Sequence, residues 1–165
     1  MKLIRLTAIL ALMAVCAAVN AQETNAQPSA TEQSYDNTTY VGMQYDELMF
    51  QVPQGMKVER GESLTALYSD GTFGFTMQTV NQPSTKKISF ELCERLADSL
   101  GLPRALVKKT NFGDAKGAQA QGMVDGMHVF CIVLAYDKHQ VLITLMAKPE
   151  RADWINRFLS TLKKG

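Results

Sequence analysis

Eight residues in the last third of the chain constrain its fold more than any others. Val129-Phe130-Cys131-Ile132-Val133-Leu134-Ala135-Tyr136 contains no charged residue. Alternation along a strand puts Val129, Cys131, Val133 and Ala135 on one face and Phe130, Ile132, Leu134 and Tyr136 on the other. Both faces are apolar, so both need a cover, and a sheet wetted on one side is excluded.

The surrounding segments supply the sheet and its covers. Leu64–Tyr68 and Thr72–Val80 flank Asp70-Gly71, and Ala115–Val124 and Met127–Tyr136 flank Asp125-Gly126, two strong hairpin signals. Val141–Met146 follows the polar stretch Asp137-Lys138-His139-Gln140 and gives a third hairpin. A strand over Leu48–Val52 ends at Pro53, which cannot donate to a ladder. Ser89 is the expected N-cap of a helix whose apolar stripe is Phe90, Cys93, Leu96, Ala97 and Leu100, ended by Gly101 and Pro103. A second helix is expected from Pro149, with Trp154, Ile155, Phe158, Leu159 and Leu162 inward and Lys163 and Lys164 at its negative end. The expected class is therefore α+β: an α/β/α sandwich, a mainly antiparallel sheet of about six strands with two helices, one on each face.

The N-terminal third reads differently. Lys2 and Arg5 precede an uncharged run, Leu6–Val19, shorter than the ~20 apolar residues that span a bilayer. With Val19-Asn20-Ala21 as the cleavage site, residues 1–21 read as a secretory signal peptide. Cys16 offers a competing reading, a membrane-anchored lipoprotein. Against it, Val15 stands where Gly, Ala or Ser precedes an acylated cysteine, and Met13 stands where Leu is usual. Residues 22–39 hold no Leu, Ile, Val, Phe or Met and read as a disordered polar leader. Residues 40–165 are the expected single globular domain. The protein is thus expected to be exported, periplasmic or extracellular, with no transmembrane span in the mature chain. Loss of Lys2 and Arg5 leaves 15 basic and 16 acidic residues. That balance argues against nucleic acid as a partner.

Phe50-Gln51-Val52-Pro53-Gln54-Gly55-Met56 resembles the F-x-V-P-x-G-W opening of PsbP-like domains, with Met56 where Trp is usual. The hairpins, the Ser-led helix and the closing Trp154-Ile155-Asn156-Arg157-Phe158-Leu159 helix are similar to the rest of that domain, over about Leu48–Lys163. The resemblance implies the secreted bacterial branch of a fold whose members are mostly binding or accessory proteins without shared catalytic residues. It implies a non-enzymatic envelope factor whose partner is another envelope protein or a small ligand. It transfers no functional residue.

Candidate chemistry is sparse. His128 and His139 belong to one hairpin but to opposite ends of it, and no G-x-S-x-G, P-loop, G-x-G-x-x-G or H-E-x-x-H motif is present. Neither histidine is assigned a catalytic role, and no cofactor is expected. An enzyme with an unrecognised site stays open as an alternative. So does a metal-trafficking protein: Met123, Met127 and His128 sit around the Asp125-Gly126 turn, a soft ligand set suited to Cu(I), although Met also fills cores. Glu91 and Glu94 read as a solvated helix face, and Lys86-Lys87 and Lys108-Lys109 are too short for polybasic patches.

Cys93 and Cys131 are the two cysteines of the expected mature chain. If the first helix covers the Val129-Cys131-Val133 face, their sulfurs approach each other. A bridge would close a loop of about 38 residues, for roughly 3–4 kcal/mol in the chain-entropy picture. It requires Cα atoms within about 7 Å. The other outcome is two buried thiols acting as small hydrophobes.

Overall fold

Alternating apolar residues and tight turns build ten strands, seen in a computed structural model that describes residues 38–165 apart from 84, 113 and 114 and the side chain of 86. The signal peptide, Cys16 and nearly all of the polar leader lie outside the described residues. Strands β1 (Tyr40–Tyr45), β2 (Leu48–Pro53), β3 (Met56–Arg60), β4 (Ser63–Tyr68) and β5 (Phe73–Val80) precede helix α1 (Lys86–Ser99). Strands β6 (Lys108–Phe112), β7 (Ala115–Val124), β8 (Met127–Ala135) and β9 (Gln140–Ala147) follow, then α2 (Ala152–Thr161) and a two-residue β10 (Lys163–Lys164).

All strand pairings are antiparallel. Seven strands form one sheet in the order β3-β4-β5-β9-β8-β7-β6, and β1, β2 and β10 form a second. The class is α+β as expected, but the main sheet is wider than about six strands, and the small sheet is an addition to the expected sandwich. At the β7–β8 turn Asp125 and Gly126 have φ of +48° and +76°, positive at both central positions, as a right-twisted two-residue hairpin requires.

Two local expectations are corrected. Ser89 is not the cap of α1: Thr85 is, its Oγ1 accepting the Ile88 N–H at 3.2 Å. The helix therefore begins at Lys86. Lysine is a good helix former, and Lys87 meets Glu91 one turn on, so a positive pair in the first turn is tolerated. Lys163 and Lys164 do not extend α2 but pair with Met49 and Leu48 of β2. Pro149 starts a short 3-10 turn, Pro149–Arg151, before the α-helix proper.

The strand apolar on both faces lies inside two cores. Phe130, Ile132 and Leu134 join Phe50, Phe73, Phe75, Trp154 and Phe158 in a continuous cluster. The Phe158 ring lies 4.7 Å from that of Phe50 and 5.3 Å from that of Phe75, and Trp154 meets Phe73 edge-on at 5.7 Å. Such pairs contribute about 0.5–1.5 kcal/mol each beyond burial. On the opposite face Val129, Cys131 and Val133 lie under α1, which packs on β7 and β8 and brings in Cys93, Leu96 and Ala97, all buried.

Candidate functional site

A cavity of about 260 Å³ opens beneath the first turn of α1. Its floor follows from strand register. Asn111, Lys116, Ala135 and Gln140 are successive partners across β6, β7, β8 and β9, one row on the face that α1 covers. Ala135 is the short member of that row, so the row dips there. Gly117, next to Lys116, adds bare backbone to the floor and lies tight against β8: a Cβ there would stand 1.9 Å from the Val133 carbonyl oxygen. Thr85, Ser89 and Phe90 form the helical wall, and exposed Lys109 and Lys116 form the rim.

The polar groups behind the wall are buried. The Ser89 hydroxyl lies 3.1 Å from Gln140 Oε1 and 3.2 Å from the Thr85 carbonyl, and its one proton is shared between two acceptors. Neither acceptor can take that proton away, so Ser89 has no base. Gln140 is fully buried, and its Nε2 has no hydrogen-bond partner among the described residues. Neither Lys109 nor Lys116 is ion-paired with a carboxylate among the described residues. The first turn of α1 carries no acidic residue. Two ammonium groups above an apolar floor suit a small anion with an apolar body.

A second concavity, about 420 Å³, lies where the β8–β9 turn meets Glu47 and Lys164. Two of its charges are already spent on each other. Glu47 and Lys164 pair at 2.8 Å, and that hydrogen bond, then the charge of Lys164, holds the Glu47 carboxyl below its usual range. His139 Nε2 stands 3.1 Å from Asp46 Oδ2, inside ion-pair distance but off hydrogen-bond geometry. The His139 ring stacks on Tyr136 at 4.8 Å.

Burial, followed by the negative charges of Glu47 and Asp46, pushes the Tyr136 phenol up to about 12. Its hydroxyl has no hydrogen-bond partner among the described residues. An unfolded tyrosine ionises near 10. Between pH 10 and about 12 the unfolded chain has therefore lost this proton while the folded chain keeps it, so stability falls as pH rises through that window. Tyr136→Phe should remove this slope and, at neutral pH, leave stability unchanged or raise it by up to about 1 kcal/mol. Urea unfolding at neutral pH and across the alkaline window checks both; a clear loss at neutral pH would refute the unpartnered hydroxyl.

The remaining sequence candidates are dispersed. Met123 and His128 are cross-strand partners at the tip of the β7–β8 hairpin, but Met127 pairs with Val124 and projects to the other face. Met123 is 53% exposed. The expected soft-ligand trio is thus split across the sheet, and no cluster of three or more His, Cys, Asp or Glu gathers among the described residues. His128 lies opposite Ala147 and His139 in the turn before Gln140, at opposite ends of the β8–β9 hairpin. Cys93 and Cys131 are free and wholly buried, and their thiols influence each other across the helix–sheet contact. The neighbouring Cys131 thiol, then burial, pushes the Cys93 thiol up, while the Cys93 thiol lowers Cys131. Sequence reasoning missed Gln140, assigned to a turn, and took Lys109 for an ordinary surface residue.

No protein-family model and no curated protein matches the chain. Solved structures do. The solution structure of cyanobacterial PsbP (CyanoP) from Synechocystis sp. PCC 6803 matches with a TM-score of 0.53 and 9% identity, over 83% of this chain and 98% of that one. A crystal structure from Bacteroides thetaiotaomicron VPI-5482 matches with a TM-score of 0.49 and 12% identity, over 72% of this chain and 45% of that one. The chain therefore spans less than half the length of the Bacteroides protein. The fold is PsbP-like. No helix among the described residues is long and apolar enough to cross a membrane.

Proposed function

We propose that this is an exported, non-enzymatic binding or accessory factor of a bacterial envelope, and that it holds a small organic carboxylate beneath the first turn of α1. The observation that carries the ligand is the pair Lys109 and Lys116 over Ala135, Gly117 and Phe90. The cavity lies just below the ~300–1,000 Å³ usual for small-molecule sites, so the ligand is small, with one aromatic ring or a short aliphatic chain. The non-enzymatic reading is supported by the chemistry of the wall, where the one hydroxyl behind the cavity faces acceptors that cannot serve as its base. The PsbP-like fold agrees with it only by analogy.

Benzoate is a suitable probe. Titrated into isotope-labelled protein, it should move the backbone amide resonances of Ser89, Phe90, Gly117 and Ala135 saturably. Benzyl alcohol, the same ring without the charge, should bind at least about tenfold more weakly, the ratio that about 1.4 kcal/mol of charge-assisted contact gives. The double variant Lys109→Glu, Lys116→Glu should abolish the benzoate response. Shifts scattered over the surface, or a response unchanged in the double variant, would refute the site.

A further inference from the structure

We propose that Cys93 and Cys131 are joined by a disulfide in the exported protein, fastening α1 to the seven-stranded sheet. The register explains how a helix and a strand come close enough. Facing layers are about 10 Å apart, too far for most cysteine pairs to meet. Here Cys131 has Ala120 beside it on β7, and Val133, two residues along, has Ala118. Both alanines are completely buried, as are the two cysteines and Ala97, one turn beyond Cys93. Three methyl-sized side chains at the contact let α1 settle onto β8 and β7, which buries Cys93 and Cys131 completely in that one contact. On its other side Cys131 is flanked by Thr144. No third cysteine lies among the described residues, and Cys16 belongs to the segment read as a signal peptide.

The burial also dictates when the bond forms. Neither sulfur can be reached by an oxidant once α1 is docked, so oxidation belongs to folding, before the helix settles. One cysteine thiolate attacks a sulfur of an external disulfide, supplied by a thiol oxidoreductase or a small disulfide of the exporting compartment. A mixed disulfide forms and one reduced thiol leaves. The second cysteine thiolate then attacks the protein sulfur of that mixed bond, and a second reduced thiol leaves. Two protein thiols have lost two protons and two electrons, and the external disulfide has been reduced. The closed bond is sealed from reductants by the helix it holds. This inference rests on the export reading and is independent of the carboxylate reading, since it concerns Cys93, one turn along α1 from the cavity wall at Ser89 and Phe90.

The test uses the full-length gene product recovered from the exporting cell, acid-quenched and alkylated in denaturant. Without reductant no cysteine should be alkylated, with reductant Cys93 and Cys131 both should be, and the intact monomer should be lighter by two hydrogens before reduction. Digestion should yield a single linked pair of peptides containing Cys93 and Cys131. Two alkylated thiols without reductant would overturn the proposal, as would a bond between two copies or a persistent mixed disulfide with a small thiol. Because the measurement uses the unaltered chain, no variant has to fold. In the native protein a small thiol reductant should leave the bond intact and should open it only when denaturant is added; rapid reduction under native conditions would overturn the seal.

Discussion

Replacing Phe158 by alanine should destabilise the domain by about 3–5 kcal/mol. Phe158 is completely buried between the two sheets. Its ring contacts Phe50 of β2 on one side and Phe75 of β5 on the other, and those two rings touch each other edge-on at 5.5 Å. The cavity left behind cannot close by a side-chain rearrangement alone, because both neighbours are rings fixed on strands. The small sheet also leans on α2 by polar contacts that alanine leaves intact: the Gln51 N–H donates to Thr161 Oγ1 at 2.9 Å, and Arg157 donates to Gln51 Oε1 at 2.6 Å. The variant should therefore keep its topology and lose only stability. Urea unfolding should show a lower midpoint with an unchanged slope. Leu159 is the control, next on the helix but only partly buried. Leu159→Ala should lose about 1–2 kcal/mol. Equal losses at the two positions would mean that the aromatic cluster is not where the sheets are joined.

The parts of the fold legible in the sequence are those whose signals are local. Asp70-Gly71 and Asp125-Gly126 mark two hairpins, and the strand apolar on both faces demands covers on both sides. The strands that escaped notice carry no such pattern. β3 is Met-Lys-Val-Glu-Arg and β6 is Lys-Lys-Thr-Asn-Phe, and they are the two edges of the large sheet. Charges and polar groups on an edge keep it from pairing with other chains, and they also erase the apolar alternation by which a strand is recognised. β10 pairs through two lysines and was read as the tail of a helix. The expected cap, Ser89, is committed to Gln140, and Thr85, whose hydroxyl caps equally well, starts α1 four residues earlier.

The cavity was illegible for a different reason. Lys116 and Gln140 are 24 residues apart, and only the register through Ala135 puts them in one row. No spacing rule within the sequence links them. The approach of Cys93 to Cys131 was foreseeable in outcome but not in cause, since it depends on Ala118 and Ala120 lying opposite the right residues of β8.

Gly117→Ala should cost about 3 kcal/mol or more, although glycine-to-alanine changes at unstrained positions usually stabilise by about 0.4–1 kcal/mol. The reason is the close approach of β7 to β8. The added methyl would stand 1.9 Å from the Val133 oxygen, 2.9 Å from the Val133 carbonyl carbon and 3.2 Å from Leu134 Cα, all backbone atoms. A side chain could rotate out of the way; a paired strand cannot. The two strands must part locally, giving up ladder hydrogen bonds worth about 1 kcal/mol each and disturbing the packing of Val133 beneath α1. Gly122, five residues along the same strand, separates this cause from the general effect of a new methyl. Its Cβ would meet Leu102 Cδ2 at 2.8 Å, the far end of a flexible side chain. Gly122→Ala should therefore cost no more than about 1 kcal/mol. The same substitution at Gly117 should also weaken the benzoate response, because parting β7 from β8 displaces Lys116 and Ala135 at the cavity, whereas Gly122→Ala should preserve it. If both variants unfold at the wild-type urea concentration, the contact between Gly117 and Val133 does not shape this sheet.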